Sequence, residues 1–126
     1  MVTIRVTQLQ ELSRVAFERT AVAHVAEHFP RHVAALGPQG TLDAVVAARD
    51  VAYGLGFRGE REVTHFIDLT FMFGHGFHAS GQYAWAAPIL EDRARGNARN
   101  RMDRLYAAAI GHLERLAANT QAVAHV

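Results

Sequence analysis

His24, Glu27 and His28 stand in the spacing H-x-x-E-H. In inverted zinc peptidases that spacing sets two imidazoles one helical turn apart to bind zinc, while the glutamate activates water. Those enzymes are large mixed α/β proteins, and this chain offers no third ligand of suitable placement. Projected on a helix, His24 and His28 lie opposite a face built from Leu12, Ala16 and Ala23, so a solvated surface explains them without a metal. His32 and the loop pair His75 and His78 carry the same nitrogen-ligand chemistry, suited to zinc or haem iron. Pro30 interrupts the i, i+4, i+8 series that His24, His28 and His32 would share, and nothing in the sequence gathers the rest. A zinc or haem site from His24, His28, His75 and His78 stands as the alternative to a chain without cofactors. His65 and His112 fall inside helices, as residues at packing edges or facing a partner.

Asp68 sits in the apolar half of a helix, where an unpaired carboxylate is costly. A partner is expected for it, a buried arginine or a helix end. Glu60 and Glu62 are accounted for by a helix start, and Glu91 and Asp92 by a solvated loop. Ser13 and Ser80 stand in no nucleophile-elbow or S-x-x-K setting, and the glycines form neither a dinucleotide fingerprint nor a P-loop. No catalytic residue is assigned, and an enzyme is not expected.

Arg93, Arg95, Arg99, Arg101 and Arg104 gather cations at the start of a helix, where the backbone dipole disfavours them. Pairing with Glu91, Asp92 or Asp103 offsets this internally, and an acidic partner protein is the functional alternative. Arg95, Arg99, Arg101 and Arg104 are the expected steering residues, with Trp85 as an apolar anchor or, more plainly, core filler. Without interleaved aromatics the stripe does not point to nucleic acid, and the net charge of +1 argues against a general polyanion binder.

The elements that must position these groups are helical. No segment sustains the alternation of a strand, and alanine, leucine and arginine recur throughout. Thr7 and Gln10 have capping-box spacing ahead of a long helix to His28, with Leu9, Leu12, Val15, Ala16, Val22, Ala23 and Ala26 on its apolar face. A short helix beyond Pro30 ends near Gly37, and Thr41 caps a third that ends at Gly54 and Gly56, with Arg49 and Asp50 toward water. Glu60 opens a fourth helix that becomes apolar nearly all round before Gly74, the mark of a central core helix. A glycine-rich loop, a short segment around Pro88, a polar connection and a helix from Arg101 complete an all-α bundle of five to six helices. One domain is expected over 1–126, ordered over about 5–117 with a frayed tail from 118, and large enough to bury a core without disulfides. Cysteine is absent, which removes thiolate chemistry.

The N-terminus lacks the pattern of a signal peptide, and no apolar run reaches about 18 residues, so a cytoplasmic protein without a membrane span is expected. The blocks GEREVTHFIDLTFMFG, HFPRHVAALG and YAWAAPIL resemble small helical proteins from bacterial type VI secretion and toxin-effector gene neighbourhoods. The resemblance covers about residues 5–115 and implies an accessory role: an effector adaptor, chaperone or immunity protein that binds a cognate effector or secretion-system protein. A homodimer fits the broad helical faces equally well.

Overall fold

Two glycines punctuate the centre of the molecule. Gly59 precedes the helix Glu60–Phe73 in extended conformation, and Gly74 follows it at φ 102°, donating its N–H to the Thr70 carbonyl at 2.8 Å. A positive φ of this kind is strained for any residue with a Cβ, which is why the helix stops there. In the computed structural model, which describes residues 2–93 and 96–124 and side chains over 6–93 and 96–120, this is the third of five helices. They are α1 (Val2–His28), α2 (Pro30–Gly54), α3 (Glu60–Phe73), α4 (Ala86–Glu91) and α5 (Ala98–Ala124), and a 3-10 turn lies at Phe77–Ala79. No strand occurs among the described residues, and the chain is an all-α, single-domain bundle.

α3 is the axis of that bundle. Val63, Phe66, Ile67, Leu69 and Phe71 are buried, and the core continues through Val25, Val45, Phe57, Phe77, Leu90, Met102 and Leu105. α1 and α2 form an antiparallel pair on one side of α3, and α5 covers another. Side-chain contacts set the directions. His24 meets Asp68 and Phe29 meets Phe71, while His65 meets Tyr106 and Phe73 meets His112, so α1 and α5 both run the same way as α3.

The two long helices therefore overrun the bundle at opposite ends. Ser13 lies beside Glu60, the first residue of α3, and residues 6–16 are exposed throughout. His112 packs on Phe73, the last residue of α3, and residues 113–120 are exposed beyond it.

Several expectations change. α1 begins at Val2, so Thr7 and Gln10 lie within it and do not open it, and α5 starts at Ala98 and stays helical to Ala124. The face of α1 that meets the core is Phe17, Ala21, Val22, His24 and Val25, so Val22 of the expected stripe packs inward, whereas Leu9, Leu12, Val15, Ala16, Ala23 and Ala26 point to solvent. Pro30 opens α2, and Gly37, at φ 74° and ψ 173°, kinks it where a break was expected, with Pro38 starting the second arm. Thr41 is fully buried within that arm and caps nothing; its hydroxyl has no partner. Arg49 is buried too, its guanidinium 2.7 Å from Glu18 of α1, which ties the first two helices together.

Candidate functional site

The arginine run is largely consumed by the fold. Arg101 is only 4% exposed and lies over the Phe57 ring at 4.7 Å. Its Nη1 donates to the Leu90 carbonyl at 3.0 Å and its Nη2 to the Leu55 carbonyl at 3.1 Å. Those carbonyls close the C-terminal ends of α4 and α2, where orphan oxygens and the negative end of the dipole both favour a cation. The unfavourable placement at the start of α5 is thus offset by two other helices. Burial pushes the Arg101 guanidinium below its ordinary pKa, and the nearby Arg93 and Arg104 cations add to this. Arg93 reaches the Gly54 carbonyl at 3.5 Å, again at the end of α2.

Of the expected steering set, then, Arg101 is a core residue and cannot meet a partner. Arg104 is held by Asp92 at 3.3 Å, as internal pairing anticipated, and its Nε and Nη2 are buried. Arg99 is exposed, and Arg95 lies outside the described residues. Trp85 packs against the core, as the core-filler alternative expects. Its ring is half-buried among Phe73, Tyr83 and His112 at centroid distances of 5.6 to 6.0 Å, where it seals α3 against α5.

The histidines divide in the same way. His24 is not on a solvated face: its Nε2 lies 2.7 Å from Asp68 Oδ1, which supplies the partner Asp68 required, an imidazole in place of arginine. His28 is exposed, its ring tilted against that of His24 at a centroid distance of 4.5 Å. His78 packs on Phe66 and Phe77, with its Nδ1 buried and unpartnered, and burial followed by the His75 charge lowers its pKa. His65 stacks on Tyr106, and burial lowers its pKa, with the Arg61 cation second. His24 and His28 are not assembled with His75 and His78. Among the described residues no group of three or more His, Asp or Glu is arranged to hold a metal ion.

An open groove of about 580 Å³ lies between the kinked α2 and the end of α3. Leu36, Ala44, Ala47, Phe71 and Met72 line it, and His32, Asp43 and His75 stand at its edge. Leu36 is 45% exposed and lines the groove together with the buried Phe71. The Gly37 kink turns the first arm of α2 away from the second, and Phe29 against Phe71 at 5.5 Å holds that first arm over α3. The sequence signals the kink through Gly37 and Pro38. It carries no sign that Thr70, Phe71 and Met72 would form the opposite wall.

An apolar floor within a polar rim, about the width of a few side chains, suits an apolar segment of another protein better than a polar small molecule. Comparison with known proteins found no matching family model, no similar curated protein and no similar solved structure.

Proposed function

We propose that this chain is a non-enzymatic binding module that recognises a partner protein through the groove between α2 and α3. The groove itself carries the proposal: Leu36, 45% exposed, lines it with Phe71 and Met72, and the exposed His32, Asp43 and His75 add polar groups to the same lining. The partner's contribution would be a short apolar segment, such as one face of a helix inserting two or three large side chains. The resemblance to proteins of secretion and toxin-effector neighbourhoods makes a cognate effector the first partner to test, and an adaptor, chaperone or immunity role in the cytoplasm the first context. Arg99, exposed on α5, remains available to steer an acidic partner. No helix among the described residues is long and apolar enough to cross a membrane.

The test is co-expression with the products of flanking genes, followed by capture of the wild type and of Leu36→Asp in parallel. A stoichiometric partner held by the wild type and weakened at least tenfold by Leu36→Asp supports the proposal. A partner held equally by both removes the groove from it. A stoichiometric metal or a Soret band in the purified chain would replace it with a histidine-based metal or haem protein.

A further inference from the structure

The exposed side of α1 has its own order. Leu9, Leu12, Ala16, Arg19, Ala23 and Ala26 follow one another at spacings of 3, 4, 3, 4 and 3, and all six are exposed. That is the 3,4 spacing of a two-helix coiled-coil seam, continuous over about 25 Å at 1.5 Å per residue. It is distinct from the core face: Phe17, Ala21, His24 and Val25 already pack inward, so the seam is a second face on the same helix. Leu9 and Leu12 are 63% and 65% exposed, the largest values among the big apolar side chains of the described residues. Residues 6–16, which carry them, are exposed throughout, and a helical overhang of this length is marginal in water without a further surface to pack on.

We infer that the seam is covered by α1 of a second copy of this chain, packed antiparallel about a two-fold axis between Phe17 and Glu18. In that register Leu9 faces Ala26 of the other copy, Leu12 faces Ala23, and Arg19 faces Ala16. Each large side chain meets an alanine, in both directions, because the two-fold repeats every contact. No other pairing of the seam with itself places all three large residues against small ones; in a parallel pair Leu meets Leu at one end and Ala meets Ala at the other. The arginine fits because its stem can lie along the alanines while the guanidinium leaves the seam sideways. The overhanging N-terminal turns of each copy then lie along the outer face of the other copy's α1 and are covered there. A seam of this length buries on the order of 1,000 Å² in total, the low end of specific interfaces, which fits a reversible dimer.

The groove between α2 and α3 is not involved, so each proposal can fail without the other. Sedimentation of the intact chain over a wide concentration range is the first test. The wild type should pass from monomer to dimer, Leu12→Asp and Ala23→Asp should each remain monomeric while keeping their helical circular dichroism, and Arg19→Leu should dimerise at least tenfold more tightly. A wild type that stays monomeric throughout, or a dimer indifferent to both aspartate variants, overturns the inference. The register is tested by cysteine pairs, since the chain has no cysteine of its own. Oxidation should cross-link two copies of a Leu12→Cys, Ala23→Cys double variant, and leave Leu12→Cys alone uncrosslinked. Crosslinking of the single variant would mark a parallel pair and overturn the antiparallel assignment.

Discussion

Replacing Arg101 by methionine tests whether the arginine run belongs to the fold or to a partner surface. Methionine keeps the stem length over Phe57 and removes the two donors that reach Leu90 and Leu55 at 3.0 and 3.1 Å. Hydrogen bonds from a charged donor contribute about 1.5–3 kcal/mol each, so their joint loss is about 3–6 kcal/mol. The guanidinium no longer has to be desolvated, and a buried thioether packs well, which together return about 2 kcal/mol. A net loss of about 1–4 kcal/mol follows, and at the middle of that range Tm in a chain of this size falls by roughly 10 °C. Arg101→Lys should fall between, because one ammonium cannot span both carbonyls with the geometry of the fork. Arg99→Met, at an exposed site on the same helix, should change stability by less than about 0.5 kcal/mol. Thermal and urea unfolding followed by circular dichroism measure all three. An Arg101→Met chain as stable as the wild type would refute the assignment of Arg101 to the two helix ends.

Three further outcomes follow from the same geometry. His24→Ala and Asp68→Asn should each destabilise by about 1–3 kcal/mol, and the double variant by clearly less than the sum, as a double-mutant cycle reveals for groups in direct contact at 2.7 Å. His65 and His78 both have pKa values lowered chiefly by burial, so the folded chain resists a proton that the unfolded chain accepts. Their contribution is complete above the unfolded value of about 6.5 and is lost as pH falls through the folded values, so Tm should drop on acidification and drop less in a His65→Gln, His78→Gln variant. Arg49→Met should loosen α1 from α2 through loss of the 2.7 Å contact to Glu18, seen as faster amide exchange in α1 around Glu18 than in α3.

The helical class and the central place of α3 were legible in the sequence because both rest on local information: glycines at the ends, carboxylates in the first turn, and apolar residues around the rest. The face of α1 was misread for a physical reason. Leu9, Leu12, Ala16, Ala23 and Ala26 have the period of a core stripe, and periodicity does not tell whether a stripe meets its own core or another chain. The inward face includes His24, a polar residue that earns its place only through Asp68, 44 positions away. The same limit applies to Arg101. Its charge is visible in sequence, but the convergence of the ends of α2 and α4 on it is a property of the assembled bundle. The helical projection that turns Arg49 and Asp50 to water holds for Asp50 and fails for Arg49, because only the α1–α2 pairing brings Glu18 to it. The groove depends on contacts between residues 32–47 and 70–75, and no local pattern encodes those.

Amide hydrogen exchange of the chain with and without its captured partner tests the binding account most directly. Slowed exchange over 32–47 and 70–75, the two walls of the groove, is the predicted result. Unchanged exchange in both walls, with protection confined to the arginine-bearing start of α5, would contradict it.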